Sequence, residues 1–489
     1  MDLDPRACYR ALSTRDARFD GRLFVGVRTT GIYCRPVCPA RTPKREHVEF
    51  FPTAAAAHEA GFRPCLRCRP ETAPDFAAWR GTSNTVSRAL ALIDLGGLDE
   101  TDVETLATRL GVGERQLRRL FKQHLGASPV AVAQTRRVLL AKQLIHETTL
   151  PMSEVALASG YGSIRRFNET FQRLFNRPPS ALRRTGPASS ASANGEVTLK
   201  LRYRPPYDWA SMRAFLAMRA IPGVEVVRGD TYLRTLAVDG QHAIVAVRPG
   251  PSHSLMVTVR TTRLSTLPAI IARVRRVFDL SADPKAIAAH LSEDETLARL
   301  VSTRPGLRVP GSWDGFELAV RAVLGQQVTV KAAVRLAGAL VEKCGTPLTL
   351  PGPGVEGLTH VFPTATQLAE LDPATLPMPR ARSQALVSLA ASVVADPGIF
   401  DTGRSLDDVV ARLRALKGIG EWTAQYIAMR ELREPDAFPA ADIGLMRALA
   451  ASDGTRPTAQ QLQARAERWR PWRAYAALHL WMADVPASS

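Results

Sequence analysis

The 489-residue sequence predicts a multidomain α+β chain. Its parts are a small cysteine-bearing α/β domain, an all-α domain of two helix-turn-helix units, and a small α/β subdomain set on an all-α body. Three observations predict it. Two short cysteine pairs, Cys34-x3-Cys38 and Cys65-x2-Cys68, lie near the N-terminus. A helix-turn-helix pattern then occurs twice. Short strands alternate with helices over 197–283, and amphipathic helix patterns fill 284–489. The expected divisions are 1–78, 82–185, a linker at 186–196, 197–283 and 284–489. The small, polar, aperiodic run from Gly186 to Gly195 reads as a flexible joint.

The cysteine pairs fit a four-thiolate zinc site of Cys34, Cys38, Cys65 and Cys68. A purely structural zinc knot or a pair of disulfides is the alternative. Cys8 and Cys344 stand alone, which speaks against a disulfide framework and fits a reducing cytoplasm. Arginines interleave with the cysteines at positions 28, 35, 63, 67 and 69, as a site facing phosphate would need. The strings Val27-Arg28-Thr29-Thr30-Gly31-Ile32-Tyr33-Cys34 and Gly61-Phe62-Arg63-Pro64-Cys65-Leu66-Arg67-Cys68 closely resemble the zinc domain of Ada-type methylphosphotriester repair proteins. That resemblance implies that Cys34 irreversibly accepts a methyl group from a damaged DNA phosphate, the other three cysteines being ligands only. Four thiolates on one zinc dication carry about −2, which repels DNA phosphates. Methylating one thiolate removes one negative charge, so DNA affinity should rise after the repair event.

Composition points the same way. The formal net charge is +18 and the pI about 10.3, a balance that suggests a polyanion such as DNA. An arginine-rich coding bias would give the same excess. The opening Met-Asp-Leu-Asp-Pro carries no signal-peptide pattern, and no apolar run is long enough to span a membrane. A cytoplasmic, nucleoid-associated protein is expected, with a monomer the working assumption.

In the first helix-turn-helix unit, Val103–Leu110 and Glu114–Gln123 flank Gly111-Val112-Gly113. In the second, Met152–Ser159 and Ser163–Phe175 flank Gly160-Tyr161-Gly162, with Ser163 as N-cap. Each second helix sets an apolar face against a basic one, which could also be a merely solvated face. The run Glu154-Val155-Ala156-x-x-Ser159-Gly160-Tyr161-x-Ser163-x-x-x-Phe167-x-x-x-Phe171 resembles the AraC-type DNA-binding domain. The resemblance implies recognition helices in successive major grooves, with Arg115, Gln116, Arg118, Arg165 and Asn168 as exposed candidates for DNA contact. It also implies promoter activation with RNA polymerase as partner.

In the helical body, Leu416-Lys417-Gly418-Ile419-Gly420 sits between two helix patterns. A Gly-x-Gly hairpin exposes backbone N–H groups to a phosphate, though a tight helical turn needs the same residues. Downstream, Phe438-Pro439-Ala440-Ala441-Asp442 places an acid at a helix start, where Asp is also a common N-cap. Hairpin plus downstream Asp form the pattern of helix-hairpin-helix glycosylases. Tyr203-Arg204-Pro205-Pro206-Tyr207-Asp208-Trp209, Ala322-Val323-Leu324-Gly325-Gln326 and Glu467-Arg468-Trp469-Arg470-Pro471-Trp472 resemble AlkA-type 3-methyladenine DNA glycosylase II.

The resemblance implies base flipping into an aromatic pocket of Trp422, Tyr426, Trp481 and Phe215, with Asp442 as catalytic carboxylate. Gly418, Gly420 and Gln327 would touch DNA. Trp469 and Trp472 read better as core. Relatives that also cut the backbone use a lysine where Trp422 stands, so a monofunctional enzyme is expected. One departure is Gln327, polar at the position of the apolar wedge. An alkali metal ion at the hairpin, held by carbonyls near Leu416 and Ile419, is a further expectation. The chain lacks Pro-Cys-His-Arg, the centre of the alkylguanine transferase that often follows in Ada-type proteins. The competing reading is a non-enzymatic transcription factor whose glycosylase-like body only grips DNA.

Overall fold

The computed structural model describes residues 4–74, 84–99, 101–183, 196–350, 355–376, 378–400, 405–450 and 453–483. The expected boundaries at 78–82 and nearly all of the expected linker lie outside these residues. The chain divides into two compact units, residues 1–202 with 256–272, and residues 203–255 with 273–489.

In the first unit, helix α1 (Pro5–Ser13) precedes a four-stranded sheet of order β3-β1-β2-β4. The strands are β1 (Phe24–Val27), β2 (Ile32–Cys34), β3 (Val48–Phe51) and β4 (Arg63–Pro64), with α2 (Ala54–Glu59) between the last two. β1 runs antiparallel to β2 and β3, whereas β2 pairs in parallel with β4, Ile32 facing Arg63 and Tyr33 facing Pro64. That parallel register brings the two strand ends together, and the cysteines lie at or after them: Cys34 closes β2 and Cys65 follows β4.

The helical part follows: α3 (Asn84–Asp94), α4 (Val103–Arg109), α5 (Glu114–Leu125), α6 (Pro129–Glu147), α7 (Met152–Ala158) and α8 (Ile164–Phe175). Apolar spacing buries Leu117, Phe121 and Leu125 on α5, and Phe167, Phe171 and Phe175 on α8. Ser163 caps α8 by accepting the Arg166 N–H at 3.2 Å. Between the two helix-turn-helix units runs α6, started by Ser128, whose hydroxyl accepts the Ala131 N–H, and by Pro129. At 19 residues it is about 28 Å long. Strand β5 (Glu196–Arg202) also belongs to this unit, its Lys200 carbonyl accepting Gln143 Nε2 at 3.0 Å.

In the second unit, α9 (Trp209–Met218) leads into the antiparallel strands β6 (Glu225–Arg228), β7 (Thr231–Val238) and β8 (Gln241–Gly250). Strand β9 (Ser254–Thr261) and α10 (Leu267–Val277) follow along the chain. The helical body holds α11 (Pro284–Leu291), α12 (Glu295–Thr303), α13 (Gly315–Leu324), α14 (Val330–Cys344), α15 (Ala365–Ala369) and α16 (Arg380–Ala395). It is completed by α17 (Leu406–Arg414), α18 (Glu421–Arg430), α19 (Ile443–Ala448), α20 (Ala459–Ala466) and α21 (Arg473–Trp481). Trp469 and Trp472 are buried, as expected. No described helix is long and apolar enough to cross a membrane.

A buried ion network fixes the strands to α13. Arg234 on β7 pairs with Glu317 at 2.7 Å, and Arg321 pairs with both Glu317 and Glu225. Burial alone would push the Glu317 carboxyl up, but Arg234 and Arg321 outweigh it and hold it down at about 2. A depressed carboxylate stabilises above its unfolded value of 4.5 and loses that contribution as pH falls through about 2. Unfolding followed by tryptophan fluorescence should therefore show stability falling between these limits, and Glu317→Gln should flatten the fall.

Candidate functional site

The first site is the cysteine quartet. Cys34 closes β2, Cys38 follows in the next turn, and the Cys65 N–H donates to the Tyr33 carbonyl at 3.0 Å. The four sulfurs lie within 4.8 Å of one another. A tetrahedral zinc with Zn–S of about 2.3 Å spaces its sulfurs by a little under 4 Å, so the donor set and its spacing fit zinc. All six cysteines are free thiols, which excludes the disulfide alternative for the quartet.

The four sulfurs are not equivalent. Cys68 Sγ accepts the Arg35 N–H at 3.4 Å, and Cys65 Sγ accepts the Arg67 N–H at 3.3 Å. Cys38 receives a backbone hydrogen bond from Ala40. Cys34 is the one residue of the four that is only partly buried. A hydrogen bond draws charge from a thiolate and weakens it as a nucleophile, so the N–H groups of Arg35 and Arg67 temper Cys68 and Cys65.

The interleaved arginines are not a uniform phosphate face. Arg35 turns inward: it pairs with Asp20 (Nε to Oδ1, 2.7 Å) and donates to the Cys68 carbonyl and to Thr72 Oγ1. Arg69 pairs with Glu71 and Glu147, and Arg28 with Glu49, whereas Arg67 is exposed. Arg35 is drawn inward because the buried Cys68 carbonyl and the Asp20 carboxylate need a donor there.

On the helix-turn-helix units, Arg115, Gln116, Arg118, Arg165 and Asn168 are all exposed. Arg118 is paired with Glu114 and Arg165 with Glu169, one turn away on the same helix in each case. Such exposed pairs are weak enough to exchange for phosphate.

The second site gathers at α18, α19 and α21. Asp442 caps α19, its Oδ1 accepting the Leu445 N–H at 3.0 Å. The same carboxylate accepts both indoles, Trp422 Nε1 on Oδ2 at 2.7 Å and Trp481 Nε1 on Oδ1 at 2.9 Å. One carboxylate thus both caps the helix and holds the two indoles. Trp422 stacks on Tyr426 with centroids 5.1 Å apart, and Tyr426 meets Trp481 edge-on at 6.5 Å. Trp422, Tyr426, Trp481 and Asp442 are all partly exposed, so the group opens to solvent. Removing one indole N–H while keeping an aromatic ring, Trp422→Phe, should slow single-turnover base release roughly 10- to 100-fold, the worth of a hydrogen bond to a charged group. DNA affinity should hold near wild type.

Phe215 meets Tyr426 through a shared arginine. The Arg219 guanidinium lies 3.8 Å from its ring centroid, and Arg430 lies over both Phe215 (4.9 Å) and Tyr426 (5.2 Å). Phe215 thus already stacks a cation of the protein. Arg430 Nη1 donates to the Tyr426 hydroxyl at 2.5 Å. Burial pushes the Tyr426 phenol up, but Arg430 and Arg219 outweigh burial and leave it lowered. Neither arginine figures in the sequence reading, although the spacings Phe215/Arg219 and Tyr426/Arg430 are each one helical turn. Cys344, by contrast, is pushed up to about 11 by burial, so its thiol stays protonated at neutral pH.

The hairpin closes the site. Gly418 adopts φ +88, a conformation that favours glycine, and at Gly420 a Cβ would meet nothing within 4 Å. Gln327 is exposed at φ +57, next to Gln326, whose Nε2 donates to the Gly418 carbonyl at 2.8 Å. Gln326 ties the loop that carries Gln327 to the hairpin, a contact that sequence reasoning missed. The alkali ion finds no support here: the Leu416 carbonyl accepts the Ile419 N–H, and the Gly418 carbonyl is taken by Gln326.

Four family models match the chain: the metal binding domain of Ada over 7–71, a helix-turn-helix domain over 106–185, the AlkA N-terminal domain over 198–314, and the HhH-GPD superfamily base excision DNA repair protein over 320–474. A probable bifunctional transcriptional activator/DNA repair enzyme AlkA of Mycobacterium tuberculosis is 44% identical over 484 residues, covering 98% of this chain and 97% of the relative. DNA-3-methyladenine glycosylase 2 of Escherichia coli is 34% identical over 289 residues, 58% of this chain and 96% of that protein. The solved 3-methyladenine DNA glycosylase of Archaeoglobus fulgidus superposes on 58% of this chain and 97% of its own, with TM-score 0.51 and 22% identity, a likeness of fold.

Proposed function

Because this chain belongs to the family of bifunctional transcriptional activator and DNA repair enzymes of the AlkA type, we propose that Asp442 and Cys34 are the reactive groups of two responses to one kind of damage. The chain is a 3-methyladenine DNA glycosylase that carries an Ada-type methylphosphotriester sensor and a helix-turn-helix activator.

The carboxylate held by two indole N–H groups at the mouth of an aromatic pocket carries the assignment of Asp442. A purine alkylated at N3 or N7 is cationic, and its glycosidic bond is already weak. Flipped out of the stack, it lies against the electron-rich faces of Trp422, Tyr426 and Trp481. The C1′–N9 bond breaks with its electron pair going to the base, which quenches the base's positive charge. Asp442 stabilises the positive charge left on the sugar, and water attacks C1′ and loses a proton. Trp422 stands where relatives that also cut the backbone carry a lysine, which supports a monofunctional hydrolase. The Gly418–Gly420 hairpin approaches a phosphate through bare backbone, and Gln327 enters the gap left by the base, where it can hydrogen-bond the orphaned partner.

At the sensor, Cys34, Cys38, Cys65 and Cys68 would hold zinc, which keeps thiolates deprotonated at neutral pH. Cys34 Sγ attacks the methyl carbon of a phosphotriester, the methyl C–O bond breaks, and a phosphodiester anion leaves. The helix-turn-helix units then read a promoter through Arg115, Gln116, Arg118, Arg165 and Asn168 and recruit RNA polymerase. The test is release of free 3-methyladenine from methylated duplex by the full chain; no release returns the protein to the class of non-enzymatic regulators.

A further inference from the structure

Residues of the zinc module meet α5 and α6 at three levels. Near the start of α6, Glu59 accepts Lys122 Nζ at 3.0 Å and the Ser128 N–H at 3.1 Å. Midway, His58 Nδ1 lies 3.0 Å from Thr135 Oγ1. Toward the end, Lys142 Nζ donates to the Cys65 carbonyl and to Glu71 Oε2, both at 2.7 Å. The Lys142 and Glu71 side chains are 0% and 1% exposed. Arg69 ties Glu71 to Glu147 at the rim of this contact. A lysine with no solvent access that donates to the carbonyl of a metal-ligating cysteine is not explained by DNA binding or by methyl transfer.

We propose that Lys142 is a positioning residue of the damage switch, latching the quartet's loop onto α6 so that the charge of the quartet is held against whatever DNA the first helix-turn-helix unit binds. This rests on the sensor reading above. A change of one charge alters affinity only if the charge stays within about a Debye length, ~8 Å at physiological salt, of the phosphates it opposes. A zinc module free to swing would move away from the DNA and relieve its own repulsion, and methylation would then change nothing. By linkage, the coupling between methylation and promoter affinity can be no larger than the difference the held charge makes.

Lys142→Met strands a buried Glu71 carboxylate and opens the latch; Lys142→Met with Glu71→Leu removes both charges and lets an apolar contact close it again. The experiment measures promoter affinity before and after methyl transfer, with zinc content and hydrogen exchange across residues 63–72 as companion readouts. Wild type gives the reference gain. In Lys142→Met the gain should fall at least threefold and exchange at 63–72 should rise; in the double variant the gain should return to within twofold of wild type. A purely stabilising Lys142 would lower Tm and leave the gain intact. A zinc-loaded Lys142→Met with the wild-type gain overturns the proposal. Should Lys142→Met purify without zinc, Glu59→Ala at the other end of the contact must lower the gain, and an unchanged gain there overturns it equally. Wild-type protein that takes up no methyl fails the sensor reading itself, before any variant is compared.

Discussion

Replacing Asp442 by asparagine should slow base release from methylated duplex about 10²- to 10³-fold or more, while duplex affinity stays near wild type. The substitution is nearly isosteric, so the helix cap survives: the amide oxygen can still accept the Leu445 N–H and the Trp481 indole that Oδ1 accepts now. What is lost is the negative charge, and with it the stabilisation of a sugar that becomes cationic as the base departs. The amide also brings an N–H₂ group toward the Trp422 indole N–H, which Oδ2 now accepts at 2.7 Å, so donor faces donor on that side. Two contacts of the pocket walls do not depend on the charge. Trp422 stacks on Tyr426, and Tyr426 is held by Arg430, whichever residue sits at 442. Single-turnover release of 3-methyladenine and a separate equilibrium titration on uncleavable duplex would resolve the two effects. Equal loss of both would mean that Asp442 supports the fold of the DNA-binding surface rather than the reaction. Unchanged release would place the catalytic carboxylate elsewhere.

The parts of these sites that were legible in the sequence are those encoded by local spacing. The quartet is two short cysteine pairs, and β2 and β4 bring them together because one pair begins at the end of β2 and the other just past β4. Asp442 heads a helix by an N-cap rule, and Trp422 lies two residues past the Gly-x-Gly hairpin. Ser163, Phe167 and Phe171 follow the same logic in the second helix-turn-helix unit. What the sequence hid were the long-range polar contacts. Arg35 looks like any other arginine of a basic stretch, yet Asp20 and the Cys68 carbonyl draw it inward. Lys142 lies on a helix whose apolar residues surround it, and its partners are on another module. Arg219 covers Phe215, and no periodicity predicts which cation stacks on that ring. Burial of charge is decided by partners far away in sequence, so composition and period cannot report it.

Cys34→Ser should abolish methyl uptake and at the same time leave promoter affinity high whether or not the DNA is damaged. A serine hydroxyl is not ionised at neutral pH, so it is neither a nucleophile toward a phosphotriester methyl nor a fourth anionic ligand. With three thiolates on a zinc dication the site carries about −1, the same charge that the wild-type quartet reaches after methylation. The variant therefore mimics the switched state electrostatically although it has repaired nothing. One charge opposing a nearby phosphate through partly hydrated protein is worth roughly 1.4 kcal/mol, about tenfold in affinity. Raising the salt should shrink the difference between variant and unmethylated wild type, as screening requires. Transfer of labelled methyl from methylated DNA, with promoter titrations at two salt concentrations, would check all three expectations. Uptake that persists in Cys34→Ser would remove Cys34 as acceptor. Low affinity in a zinc-loaded Cys34→Ser would separate the switch from charge and require a contact made by the methyl group itself.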